Sequence, residues 1–217
     1  MQPDEFILYA RDTFAERGGA FMSLIIEGVT KRFGDKTVLD NINAVFDEAG
    51  ITCVMGESGV GKTTLMRILM GLEEPDEGRV AGIGSVSAVF QEDRLIEDIS
   101  AVENVMLVLG RGVRELAESE LEFLLDASSL YQAVSELSGG MRRRVCLVRA
   151  MLKESDTLIL DEPFTGMDEE TKARAIEYIK TRRHDRTCVV VTHQREDAAA
   201  LGARICLLTR AEAVATI

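Results

Sequence analysis

Residues 56–64, Gly56-Glu57-Ser58-Gly59-Val60-Gly61-Lys62-Thr63-Thr64, leave this chain few folds to choose from. They fit G-x-x-x-x-G-K-[ST], the phosphate-binding loop. A di- or triphosphate needs several donors converging on it, and only a turn with little side-chain bulk points successive backbone N–H groups inward at that density. Gly56, Gly59 and Gly61 supply such a turn. Lys62 would set an ammonium against the β- and γ-phosphates, the Thr63 hydroxyl would complete the octahedral shell of a Mg²⁺ ion, and Thr64 carries the chain onward into a helix.

A loop of this kind joins a buried strand to a helix N-terminus, whose dipole and free N–H groups favour an anion. Both neighbours can be read. Ile51-Thr52-Cys53-Val54-Met55 is short, β-branched and apolar; Leu65 to Met70 is apolar with no breaker before Gly71.

The chain has 217 residues, 46% hydrophobic and 29% charged, which fits one medium domain with a sizeable core. A net charge of −12 and a pI near 4.7 exclude non-specific binding to a phosphate backbone, so nucleic acid is not expected as a partner. Apolar runs such as Thr157 to Leu160 and Thr187 to Thr192 are far shorter than the roughly 20 residues that span a bilayer. The four cysteines, Cys53, Cys146, Cys188 and Cys206, each sit in an apolar run with no paired Cys or neighbouring His. They read as small buried hydrophobes in a reducing compartment.

Residues 1–21 carry Phe6, Ile7, Leu8, Ala10 and Phe14 at loosely helical spacing, ended by Gly18-Gly19. The basic start, long apolar core and cleavage site of a secretory signal are missing. The segment is either a short accessory helix or an extension ahead of a true start at Met22. Leu24 to Val29 alternates like an edge strand, Asp35-Lys36 marks a turn, and a second strand lies near Val45-Phe46. Phe33, beside that turn, is placed either to stack on a nucleobase or to fill the core.

Glu73 to Gly78 is a polar turn cluster, and Ser85 to Phe90 reads as a strand running into Gln91. Between Gln91 and Leu137 the apolar spacing becomes helical, with Val102, Val105, Met106 and Leu109 on one face and Leu116, Leu121, Leu124 and Leu125 on another. A helical subdomain over about 92–137 is thus inserted in an α/β core.

Leu137-Ser138-Gly139-Gly140-Met141 then opens a helix whose early turns carry Arg142, Arg143 and Arg144. Ser138 suits an N-cap, and such an end exposes N–H groups to a second anion. Thr157 to Leu160 is an apolar strand ending in Asp161-Glu162-Pro163, a Walker B pattern: Asp161 can hold a Mg²⁺ shell through water while Glu162 orients and deprotonates an attacking water. In an extended segment these neighbouring carboxylates diverge, one toward the metal and one toward the water. Asp168 precedes a helix over Glu169 to Arg183, which it can cap. His193 comes directly after the buried strand Thr187 to Thr192, where strand ends of open parallel sheets meet ligands.

From Ser23 to about Arg210 the residues resemble the nucleotide-binding subunits of ATP-binding cassette proteins. Phe33 lies at that family's aromatic A-loop, Gly56 to Thr64 at Walker A, Gln91 at the Q-loop and Leu137 to Gly140 at the signature. Asp161 and Glu162 match Walker B, Asp168 the D-loop and His193 the switch histidine. The resemblance implies an α/β P-loop NTPase core with a mostly parallel sheet, an N-terminal antiparallel β subdomain and the inserted helical subdomain, all in one ATPase domain over 22–217. It implies ATP as substrate with Mg²⁺, held by Thr63, Gln91 and Asp161. It also implies a head-to-tail pair, expected to be a homodimer, in which Ser138-Gly139-Gly140 of one cassette closes on the γ-phosphate held by Lys62 of the other. His193 would contact that phosphate and position water with Glu162.

Val89-Phe90-Gln91-Glu92 and the run Leu137 to Arg144 resemble importers of the nitrate, sulfonate and taurine type. That implies transmembrane permease subunits, a solute-binding protein, and a peripheral place on the cytoplasmic face of the membrane. Three features depart from the pattern: a short stretch from Gly71 to Gln91, Ile96-Glu97-Asp98-Ile99 where Pro-Trp is common, and a D-loop reading Thr165-Gly166-Met167-Asp168. No C-terminal regulatory domain is expected. The alternative is a non-transport ATPase of the same superfamily, such as one for cluster assembly.

Overall fold

The structure, a computed structural model, describes residues 5–8, 23–110 and 112–209. Strands β4 (Ile51–Met55), β7 (Thr157–Asp161) and β8 (Thr187–Val191) are buried at every position, as their unbroken apolar runs require of strands covered on both faces. With β1 (Glu5–Leu8), β6 (Val86–Val89) and β9 (Arg204–Leu208) they form a parallel sheet in the order β1-β9-β4-β8-β7-β6.

Alternation along these strands divides the core in two. Cys53, Leu158, Leu160, Cys188 and Val190 face one side, packing with helices α2 (Ala101–Leu109), α4 (Gly139–Leu152) and α5 (Glu169–Arg182). Val54, Ile159, Val189 and Val191 face the other, against α1 (Lys62–Leu69) and the second sheet. All four cysteines are buried and free, and burial pushes each thiol up, to about 12 at Cys146 and Cys188. They pack as hydrophobes.

The second sheet is antiparallel, β3-β2-β5, from β2 (Leu24–Phe33), β3 (Lys36–Phe46) and β5 (Glu77–Ala81). Here the structure corrects two expectations. β2 is central, not an edge, because β5 pairs with its far side, Ile26 opposite Val80 and Thr30 opposite Glu77. β5 was concealed in the polar cluster 73–78: its Glu77, Gly78 and Arg79 are exposed, so no buried alternation betrays a strand. The hairpin turns at Gly34-Asp35, one residue earlier than Asp35-Lys36.

Residues 5–8 also depart from expectation. They form a strand, not part of a helix, in parallel register with β9, Phe6 opposite Cys206 and Leu8 opposite Leu208. A sheet edge offers a row of unpaired donors and acceptors, and pairing with it outweighs a loose local periodicity. Ala10 and Phe14 lie outside the described residues.

Between the sheets' connections, α2 and α3 (Arg114–Glu122) with two short 3₁₀ turns at 127–129 and 134–136 make the helical insertion. Ser100 and Glu103 close a capping box at the start of α2, and buried Asn104 ties back to both the N–H and the carbonyl of Ile96. The remaining helix, α6 (Arg195–Leu201), precedes β9.

Candidate functional site

Three parallel strands end level with one another. Val191 of β8 lies opposite Val54 of β4 on one side and Asp161 of β7 on the other. The segments leaving these strands therefore emerge in one row: the glycine loop after β4, Glu162 after β7, and Thr192-His193 after β8. β6, with Val89 opposite Leu160, delivers Phe90 and Gln91 to the same edge.

The glycine loop is closed by its surroundings. Gly61 caps α1 at φ 112°, and a β-carbon there would sit 2.8 Å from Leu39 Cδ2 and 3.0 Å from the Val38 carbonyl oxygen. Only glycine fits, and β3 is thereby packed directly under the loop. Lys62 is 7% exposed, its ammonium donating to the loop's own carbonyls, Gly56 O at 2.8 Å and Glu57 O at 2.9 Å. Burial pushes its pKa down, while Glu162 and Asp161 push it back up. Gly56, Val60 and the lysine are recessed; Glu57, Ser58, Gly59 and Thr63 are exposed, and Thr64 is half-buried. A further cavity of about 380 Å³ runs between β3 and the loop, lined by Thr37, Val38, Gly59 and Val60.

Asp161 is 4% exposed, and burial, then the neighbouring Glu162, raise its carboxyl above the usual range; Arg143, Lys62 and His193 oppose the rise. Glu162 adopts φ 49°, the left-handed region, at a strain of roughly 1–2 kcal/mol for a residue with a β-carbon. The two carboxylates part because the chain turns there, not because a strand continues. The turn brings Glu162 Oε1 within 2.8 Å of His193 Nε2.

Thr63, Gln91 and Asp161 line one cavity of about 90 Å³. Among the described residues no three His, Cys, Asp or Glu side chains cluster as a metal cage. One buried carboxylate and one exposed hydroxyl fit Mg²⁺, which keeps waters and phosphate oxygens in most of its shell.

Phe33 is 50% exposed at the hairpin tip, with the Lys31 ammonium 5.3 Å from its ring centroid, so it is not a core residue. Ser138 caps α4, its hydroxyl accepting from Met141 N at 3.3 Å. A β-carbon on Gly139 would meet nothing within 4 Å, whereas one on Gly140 would lie 2.2 Å from the Gly166 carbonyl oxygen. The start of α4 thus opens outward on one side and rests on the Thr165-Gly166-Met167 turn on the other. Asp168 caps α5, accepting from Thr171 N at 2.7 Å, a bond that holds its carboxyl below the usual range.

Lys62, Thr63, Gln91, Asp161, Glu162 and His193 are brought to one sheet edge. One participant was read in sequence only as part of the run Leu137 to Arg144, with no role of its own. Arg143 is 4% exposed and donates to the carbonyl oxygens of Phe90 and Gln91, the latter at 2.7 Å, while pairing with Asp93 at 3.3 Å. Its guanidinium fixes the main chain of the Gln91 loop to α4. The signal was its spacing: 140, 143 and 147 fall on one buried helical face, which singles it out from Arg142 and Arg144.

The chain is similar to known proteins. A family model described as ABC transporter matches residues 39–165. The aliphatic sulfonates import ATP-binding protein SsuB of Burkholderia ambifaria is 38% identical over 196 residues, covering 86% of this chain and 61% of that protein. SsuB 1 of Rhodococcus jostii is 40% identical over 200 residues, covering 87% and 80%. The chain thus spans less than two thirds of the length of its Burkholderia relative. A solved dimer of the ATP-binding cassette MJ0796 in a post-hydrolysis state bound to ADP and Pi superposes with a TM-score of 0.77 at 27% identity, covering 86% of this chain and 94% of that one.

Proposed function

We propose, from the premise that this chain belongs to the ABC transporter family, that it is the ATP-binding and ATP-hydrolysing subunit of an importer for small anions of the sulfonate class. The observation that carries the ATPase in this reading is the level ending of β4, β7 and β8, which sets Lys62, Asp161, Glu162 and His193 in one row. The importer and transporter names of the relatives support transport over a cluster-assembly ATPase. Residues 22–217 are taken as one ATPase domain, to whose parallel sheet Glu5–Leu8 of the preceding segment adds an edge strand.

ATP would lie with its phosphates in the loop 56–64 and its base against Phe33. Lys62, already pointed into the loop, exchanges the carbonyls of Gly56 and Glu57 for phosphate oxygens; Thr63, Gln91 and Asp161 would hold Mg²⁺, which when bound neutralises phosphate charge. Glu162 takes a proton from the attacking water, and His193, hydrogen-bonded to it, holds that carboxylate in place and reaches the γ-phosphate. A second copy would bring its Ser138-Gly139-Gly140 end over the same phosphate, donating N–H groups from the start of α4. Hydrolysis removes the group that both halves grip, so the pair parts.

Among the described residues no helix is long and apolar enough to cross a membrane. The membrane step then falls to permease partners, with a solute-binding protein delivering the anion and this chain peripheral on the cytoplasmic face. The test is affinity purification of the tagged chain from mildly solubilised membranes, with ATPase assayed on the product. Polytopic subunits and ATP turnover are expected together. Turnover with only soluble partners overturns the importer reading, and no turnover overturns the enzyme.

A further inference from the structure

Behind Glu162 and His193 lies a cavity of about 220 Å³, and a charge cluster in its wall has no part in ATP hydrolysis as derived from the sheet edge. Lys172, one turn into α5 from its cap Asp168, is 8% exposed. Its ammonium donates to Gln194 Oε1 at 2.8 Å and pairs with Glu169 at 2.9 Å and Asp197 at 3.3 Å. Asp197, on α6, is 3% exposed; its Oδ2 accepts from the Thr192 hydroxyl at 2.7 Å. Its Oδ1, without a hydrogen bond among the described residues, lies 3.3 Å from that ammonium. The Thr192 hydroxyl in turn accepts from Gln194 N at 3.2 Å. The residues immediately before and after His193 are thus both tied to one buried ammonium, the first through Asp197 and the second directly.

A buried ion pair is a weak source of stability, since desolvation consumes most of its attraction. Its geometry is another matter. The His193 side chain is 51% exposed, so little packing selects its rotamer; the backbone of the turn 192–194 is what aims Nε2 at Glu162. We propose that Lys172 and Asp197 are positioning residues that clamp this turn and so hold His193 in register with Glu162. The proposal rests on the roles of Glu162 and His193 under the proposed function. It also ties the aim of His193 to α5, whose cap lies just beyond the turn on which Gly140 rests.

The chain has two histidines, His184 and His193, so the imidazole region of its NMR spectrum holds one reporter and one internal reference. Lys172→Met is expected to shift the His193 signal and leave that of His184 in place; Lys172→Arg restores it. In turnover, Lys172→Met lowers kcat on the order of tenfold with KM for ATP nearly unchanged, as small misplacement of a reacting group does. In a His193→Ala background the same substitution leaves kcat nearly unchanged. An unmoved His193 signal, or an equal loss in both backgrounds, overturns the proposal. Should Lys172→Met fail to fold, Thr192→Val keeps the side chain's shape, removes the hydroxyl from the clamp and supplies the same two readouts. The NMR reading needs no turnover, so an inactive wild type counts against the enzyme and an unmoved imidazole against the clamp.

Discussion

The two parts of this molecule proposed to meet ATP are built in opposite ways. At the sheet edge, the glycine loop is packed on β3, Lys62 is almost wholly buried, and Glu162 is held in a strained conformation by the strands on either side. At the start of α4, Ser138 and Gly139 are exposed, and the space over Gly139 is open. The first is packed within one chain; under the proposed function the second is the part that a second copy would meet. Under the proposed function the contrast separates two steps, with nucleotide capture assigned to the chain alone and closure to the pair.

The largest expected effect tests the sheet edge. Glu162→Gln keeps the donors but removes the base, and should lower kcat by about a thousandfold with ATP affinity retained. Size-exclusion chromatography with ATP should then find a trapped dimer; a monomer with normal turnover would remove Glu162 from its role. Gly140→Ala aims at the other region. The added methyl meets the Gly166 carbonyl, so ATP-dependent dimerisation by light scattering should be lost while binding to the monomer stays within about twofold. Equal loss of both would erase the division of labour.

Phe33→Ala is smaller, costing about 1 kcal/mol or roughly fivefold in ATP affinity, read by titration calorimetry on the monomer. Unchanged affinity would move the base elsewhere. The smallest effect separates the two helix caps. Asp168 has its carboxyl held below the usual range in the folded chain, so its contribution is present above the ordinary aspartate pKa and is lost as pH falls through the depressed folded value. Ser138 does not titrate. Acid unfolding of Asp168→Asn should therefore be flatter than wild type below about pH 4, whereas Ser138→Ala should displace the curve without changing its slope.

The sheet edge was legible in sequence because its chemistry prescribes residue types at short spacings: three glycines and a lysine within 56–62, two acids at 161–162, a histidine just beyond β8. The buried strands were legible for a similar reason, each being an unbroken apolar run between breakers. The elements that escaped were held by long-range pairing. β5 presents an exposed Glu77-Gly78-Arg79, so only its register with β2 makes it a strand, and residues 5–8 owe theirs to the open edge of β9. Arg143 is separated by more than fifty residues from the carbonyls it grips, and Lys172 by 22 from Gln194. Such partners carry no spacing that a reader of one sequence can recognise.

The contact between Gly140 and Gly166 has a kinematic consequence. With no room for even one carbon between them, the start of α4 cannot advance toward the turn ahead of α5 without displacing it. A probe on exposed Thr165 would then register an inward motion of the Ser138 end without touching it, at the turn that leads into α5 and its Lys172.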